Sequence, residues 1–289
     1  MSSLYKLTEK LEIFYKIKDL ENFVYNSKSN KKTIGFVPTM GALHQGHISL
    51  ILKSKSSCDL TIASIFVNPK QFNNPLDFQK YPIKTKEDIQ LLENNHCDAL
   101  FLPTKDEIYS KEYKPPSIDI GILDQILEGK YRPSHFQGVI QVVYRLFEIV
   151  KPDKAFFGLK DFQQVAVIKK MVEYFKLPVK IIPCTTIREK DGLAMSSRNL
   201  RLNSQERMEA LFIYKSLILA KKMVFQCSPS ELKKFIEEKY KKSPLRLEYF
   251  EIIDPTNFEI LSNKWSKSAV ACIVAYVGDV RLIDNLQLI

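Results

Sequence analysis

The chain has 289 residues, 45% hydrophobic and 26% charged, the balance of a soluble globular protein with one large or two ordinary domains. Its formal charge of +10 is spread over lysine pairs such as Lys31-Lys32, Lys221-Lys222 and Lys241-Lys242. No basic block or aromatic signature accompanies them, so no nucleic-acid partner is expected. No apolar run approaches the roughly 18 residues of a membrane span, and the N-terminal segment lacks the apolar core of a signal peptide, so no membrane partner is expected and the expected compartment is the cytoplasm. Cys58, Cys97, Cys184, Cys227 and Cys272 are never spaced Cys-x-x-Cys, which argues against a disulfide framework or a zinc motif.

In chain order, short apolar strands are expected at 33–38, 60–67, 99–103, 154–158 and 179–185, with helices between them at 47–57, 84–95, 139–150 and 161–175. The third helix is the clearest: Val139, Val142, Val143, Leu146, Phe147 and Val150 recur at helical spacing and stop before Pro152. Strands rich in Ile, Val and Phe joined by helical crossovers give an α/β fold with a parallel sheet covered on both faces. In such folds ligands bind beyond the carboxyl ends of the strands. After about residue 186 the texture changes. Asn203 with Glu206 forms a capping-box pattern opening a helix to about Phe225, and Ser228-Pro229-Ser230-Glu231 opens another. Strands at 246–253 and 269–277 and a short tail at 280–283 follow. The expected division is therefore 1–185 and 186–289, the second a smaller α+β domain.

Four segments carry chemistry. In Thr33–Leu50 a strand-like run ends in a Pro/Gly turn, and His44 and His47 then flank Gly46 where a helix begins. A helix N-terminus offers unpaired N–H groups and the positive end of the dipole to phosphate, and two imidazoles there can donate to phosphoryl oxygens. After the strand at 60–67, Asn68 and Gln71 flank Pro69 and Lys70, and their two side-chain amides can orient a hydroxyl or carboxylate, although turn chemistry explains them on spacing alone. In Gly158-Leu159-Lys160-Asp161-Phe162-Gln163-Gln164, Lys160 suits a phosphate as a point charge, while Asp161 and Gln164 also fit a capping box. Finally, Met195-Ser196-Ser197-Arg198 joins two hydroxyls and a guanidinium in a polar loop suited to a lid over a polyphosphate.

These segments, with His135-Phe136-Gln137-Gly138-Val139, resemble the pantothenate synthetase family in order and spacing over nearly the whole chain. His-x-Gly-His alone indicates only the wider nucleotidylyltransferase and class I aminoacyl-tRNA synthetase superfamily. The resemblance implies condensation of pantoate with β-alanine using ATP and Mg²⁺ through a pantoyl adenylate. It also implies a Rossmann-like N-terminal domain, a C-terminal lid domain and a homodimer. By match to the family's motifs, Met40, Gly41, Ala42, Leu43, His44, Gln45, Gly46 and His47 line the ATP site, with His44 and His47 on the phosphates. Gly158, Leu159, Lys160, Asp161, Ile187, Met195, Ser196, Ser197 and Arg198 complete it. His44, His47, Lys160, Ser196, Ser197 and Arg198 are the implied catalytic set. Gln71 and Gln164 are implied for pantoate, Gln71 also for β-alanine, and Asp88 for the neighbourhood of Mg²⁺. Leu159 departs from the polar residue expected between Gly158 and Lys160, which removes a side-chain contact but not the turn.

Two other readings compete. An adenylyltransferase that stops at nucleotide transfer shares the histidine logic but leaves Gln71, Gln164 and a second domain unexplained. A tRNA-binding module would draw on the positive charge, but no anticodon-recognition extension is present.

Overall fold

The computed structural model describes residues 10–289, so most of the N-terminal segment read for a targeting signal lies outside the described residues. In chain order the elements are β1 (Glu12–Phe14), α1 (Ile17–Ser29), β2 (Ile34–Thr39), α2 (Gln45–Lys55), β3 (Leu60–Ile65), α3 (Pro75–Gln79), α4 (Thr85–Asn94), β4 (Ala99–Phe101), α5 (Lys105–Ile108), α6 (Leu127–Tyr131), α7 (His135–Val150), β5 (Lys154–Gly158), α8 (Phe162–Tyr174) and β6 (Lys180–Cys184). Then come α9 (Ser204–Glu209), α10 (Leu211–Lys222), α11 (Pro229–Lys241), β7 (Arg246–Ile253), β8 (Val270–Val277) and β9 (Val280–Gln287).

Two compact units form. The first takes the described residues up to Ile120 together with Arg132–Leu159 and Gln164–Thr185. Its six strands lie in the order β1-β4-β3-β2-β5-β6, and every pairing is parallel. The expected parallel α/β sheet is present. Ile34, Phe36, Val37, Ile62, Ala63 and Leu100 are fully excluded from solvent, because helices cover both faces of the central strands, and Thr61 and Ser64 of β3 are buried with them. The chain lays down β2, β3 and β4 outward in one direction and then returns to place β5 beside β2, pairing Gly35 with Lys154 and Phe36 with Ala155. That reversal is the switch point at which open α/β sheets bind ligands, beyond the strand C-termini.

Neither β1 nor α1 was expected. β1 is three residues long on the sheet edge, and α1 buries only Leu20, Val24 and Ser27 among polar neighbours, with no side-chain cap.

The second unit comprises Gly121–Tyr131, Lys160–Gln163 and Thr186–Ile289. Its sheet is antiparallel in the order β7-β8-β9, and Ile213, Leu217, Leu232, Ile236, Phe250 and Ile273 belong to one core that joins α10 and α11 to it. Both capping boxes form, Asn203 with Glu206 and Ser228 with Glu231. The helix expected from Asn203 to about Phe225 is instead two, α9 and α10, meeting at Ala210. The tail expected at 280–283 is a full strand, β9, which runs on through Asp284 and Asn285. An acid at an inward position hid its second half: Asp284 is 3% exposed on a face otherwise filled by Val280 and Leu282.

Candidate active site

Beyond the C-terminus of β2 the chain turns sharply through Gly41 at φ +81° and Ala42 at φ +49°. A Cβ on Gly41 would lie 3.0 Å from Ile65 Cγ2 and 3.1 Å from Asp88 Oδ2, so the left-handed turn and the close approach both demand glycine. Asp88 of α4 holds the turn. It is 2% exposed, and its Oδ2 accepts the Ala42 N–H at 2.8 Å while Oδ1 accepts the Leu43 N–H at 2.7 Å. Burial raises the Asp88 pKa, and the two amide bonds oppose that rise by favouring the carboxylate. Among the described residues no three His, Cys, Asp or Glu side chains gather as a metal site. With both Asp88 oxygens serving backbone amides, the residues present do not fit a protein cage for Mg²⁺.

The turn delivers the chain to the N-terminus of α2, where the two histidines cap each other's backbone. His44 is the N-cap. Its Nδ1 accepts the Gly46 N–H at 3.1 Å, and its own N–H donates to His47 Nδ1 at 3.2 Å. The rings are 4.1 Å apart between centroids. A ring nitrogen that accepts from an amide carries no proton, so both neutral imidazoles are fixed as Nε2–H donors. The first turn of α2 contains no acidic residue to compete with an anion.

Beyond β3, a 3₁₀ turn over Pro69–Gln71 presents Gln71. Asn68, 1% exposed, organises it: Nδ2 donates to Gln71 Oε1 at 3.1 Å and to the Gly138 carbonyl at 3.0 Å, and Oδ1 accepts from the Lys70 N–H and the Tyr109 hydroxyl. Gln71 Nε2 lies 3.1 Å from Met40 Sδ, which joins this turn to the one after β2. The Gln71 carbonyl accepts from Arg132 Nη2 at 3.1 Å and lies 2.8 Å from His135 Nδ1. Gly138 lets α7 approach, since a Cβ there would stand 2.2 Å from the Lys70 carbonyl oxygen. Gln164, on α8 in the same unit, is half-buried, and its amide makes no hydrogen bond among the described residues. At the end of β5 a Cβ on Gly158 would meet nothing within 4 Å.

Leu159 ends the same stretch of the first unit, and the second unit carries Lys160, Asp161, Ile187 and Met195–Arg198. Lys160 Nζ forms an ion pair with Asp161 Oδ2 at 3.6 Å. Local hydrogen bonds tie the stretch 188–198 together. Arg188 and Ala194 form an antiparallel bridge around a turn at Gly192, and the Ile187 carbonyl accepts the Met195 N–H at 3.0 Å. Ser196 caps a 3₁₀ turn over Ser197–Arg201, accepting the Arg198 N–H at 3.3 Å, and Asn199 Nδ2 donates to the Ala194 carbonyl at 3.1 Å. Ser197 is buried.

A family model described as pantoate-beta-alanine ligase matches residues 12–287. The chain belongs to the pantoate–β-alanine ligase family. A pantothenate synthetase of Porphyromonas gingivalis is 46% identical over 280 residues, covering 96% of this chain and 99% of that protein. Pantothenate synthetase from Thermus thermophilus superimposes with a TM-score of 0.89 at 35% identity, over 96% of this chain and 99% of that one. The Francisella tularensis pantoate–β-alanine ligase, solved with a β,γ-ATP ligand and β-alanine, gives a TM-score of 0.79 at 39% identity over 96% of this chain and 98% of that one.

Within the first unit of this pantoate–β-alanine ligase family member, the fold brings Met40–His47, Gln71 and Asp88 together behind β2 and β3. Within the second it ties Lys160 to the segment carrying Ile187 and Met195–Arg198. Sequence reasoning missed the supports: Tyr109, Arg132, Arg188, Asp284 and Asn285, and the reason for Gly138. Each acts through a tertiary contact far along the chain, which no local pattern announces.

Proposed function

We propose that the chain joins pantoate to β-alanine at the expense of ATP through an enzyme-bound pantoyl adenylate. A pantoate carboxylate oxygen attacks the α-phosphorus and the bond to pyrophosphate breaks. The β-alanine amine then attacks the acyl carbon, AMP leaves with the bonding electron pair, and the amine proton passes to solvent. The observation that carries this reading is the pair of imidazoles locked as Nε2–H donors at the N-terminus of α2, beside the sheet's switch point.

Met40–His47, Gly158, Leu159, Lys160, Asp161, Ile187 and Met195–Arg198 bind the nucleotide in this reading. His44, His47, Lys160 and Arg198, with the Ser196 and Ser197 hydroxyls, offset the charge gathering on the phosphates. Gln71 and Gln164 hold pantoate, and Gln71 serves β-alanine as well. The unpaired amide of Gln164 supports its part, since a half-buried amide gains most from a substrate hydroxyl or carboxylate. Domain 186–289 acts as the lid that keeps water from the hydrolysis-prone adenylate. Mg²⁺ accompanies ATP as a counter-charge to its phosphates, carried by the nucleotide and not by a protein cage.

The protein works as a cytoplasmic homodimer in this reading; no helix among the described residues is long and apolar enough to cross a membrane. Sedimentation giving a monomer at micromolar concentration would remove the dimer. A product assay with ATP, pantoate and β-alanine, omitting each in turn, tests the function. Pantothenate and AMP are expected only with all three, while transfer that stops at the nucleotide without an amide would favour an adenylyltransferase.

A further inference from the structure

Near the end of β9, Asp284 and Asn285 stand side by side, buried and half-buried. Asp284 takes the Arg188 guanidinium in two bonds, Nη1 to Oδ2 at 2.6 Å and Nη2 to Oδ1 at 3.0 Å. The same guanidinium donates to the carbonyls of Gly192 and Asn285, each at 3.1 Å, and its carbon lies 4.6 Å from the centre of the Tyr214 ring. The turn that leads into Met195–Arg198 is thereby fastened to β9. Asn285 works in another direction: its Nδ2 donates to the Lys160 carbonyl at 2.9 Å, and its N–H is held by Asp284 Oδ1 at 2.8 Å.

We propose that Asp284 and Asn285 are positioning residues for nucleotide transfer, a strut that fixes Lys160 and the Met195–Arg198 segment at one spacing. The fold alone does not call for them. A leucine at 284 would continue the inward face of Val280 and Leu282 without the desolvation cost of a buried carboxylate. Both ends of the strut meet segments that face the ATP phosphates in the proposed reaction, and the inference rests on that reading. Misplacement of such groups by a fraction of an ångström to an ångström lowers the rate of phosphoryl chemistry without abolishing binding.

Asn285→Ala removes the bond to Lys160, and the nearly isosteric Asn285→Asp replaces the donor with an acceptor. Both are expected to slow pantoate-dependent ATP–pyrophosphate exchange by about 10-fold or more and to raise the ATP KM. The pantoate KM and the conversion of supplied pantoyl adenylate by β-alanine stay unchanged. Asp284→Asn, which strands part of the Arg188 charge, should act in the same sense; if it fails to fold, the Asn285 variants decide. Amide exchange at 159–163, read on the same proteins by mass spectrometry, should accelerate whether or not the chain makes product. Wild-type exchange activity in folded Asn285 variants, equal slowing of both half-reactions, or unchanged amide exchange each overturns the strut. A wild-type protein without ATP–pyrophosphate exchange would overturn the functional reading instead, with amide exchange still judging the strut.

Discussion

Asparagine in place of His44 separates capping from chemistry. His44 Nδ1 caps α2 through the Gly46 N–H, and asparagine is a strong N-cap in its own right, so His44→Asn keeps that bond and deletes the Nε2–H donor. Adenylate formation should fall by about 10²-fold, as loss of one preorganised donor does, while the melting temperature stays near wild type. His44→Ala should add a stability loss of about 1 kcal/mol. Rapid-quench rates with ATP saturating, together with thermal melts, check both, and a near-normal rate in His44→Asn would remove the phosphate role. At Asp88 the question is clamp or metal ligand. Asparagine offers one acceptor oxygen where the Ala42 and Leu43 amides need two, so Asp88→Asn should loosen the turn before His44 and slow adenylation. The half-saturating Mg²⁺ concentration should not change, and a shift in it as the main effect would make Asp88 a ligand. Gln71→Ala and Gln164→Ala should raise the pantoate KM far more than the ATP KM; equal effects on both would return the two residues to structural duty.

At the scale of elements, Gly138 shows how a helix start positions the turn that carries Gln71. In most exposed helix interiors Gly→Ala stabilises, but here the new Cβ would stand 2.2 Å from the Lys70 carbonyl oxygen. Gly138→Ala should therefore destabilise by about 2 kcal/mol and raise the pantoate KM through Gln71, as denaturant melts and steady-state kinetics would show. Stability should also fall in acid. Thr33 lowers the Asp59 pKa through its hydroxyl and amide, the Ser228 amide and hydroxyl lower Glu231 in its capping box, and Arg207 lowers Asp191. Because these folded pKa values are depressed, their stabilisation is present above the unfolded carboxylate range and lost as pH falls through the folded values, below about pH 4. Melting temperature against pH should be flat above about pH 5 and drop below pH 4, with a shallower drop in Glu231→Gln.

Much of this layer was legible from residues. The segments that form β2, β3 and β5 are rich in apolar residues, α7 has a clean helical stripe, and the capping boxes at Asn203 and Ser228 are written in four residues each. What escaped was either short or tertiary. β1 is too brief to show a period, and the buried Asp284 breaks the pattern of β9 because its partner, Arg188, is 96 residues away. The histidine motif was readable as the start of a helix, which α2 is, but the reciprocal Nδ1 bonds that fix both tautomers appear only in three dimensions.

For the whole molecule, residues 121–131 and 160–163 pack with the C-terminal unit although they precede it in the chain. Gln163, 4% exposed, accepts the Glu128 N–H and donates to the Leu123 and Ile126 carbonyls; Glu128 in turn takes Arg281 in two bonds at 2.9 and 2.8 Å and the Tyr249 hydroxyl. Lys160 thus belongs to the same compact body as Met195–Arg198. Arg198→Ala should slow adenylate formation far more than the attack of β-alanine on supplied adenylate, since the guanidinium has little to offset once pyrophosphate has left; equal slowing of both would indicate general misplacement of the turn. The central claim, that the pantoate carboxylate is activated by bonding to the α-phosphorus, is tested most directly with pantoate labelled by ¹⁸O in its carboxylate. In the complete reaction one label should appear in the phosphate of AMP and one should remain in the new amide carbonyl. Label in pyrophosphate, or AMP formed without label alongside pantothenate, would contradict it.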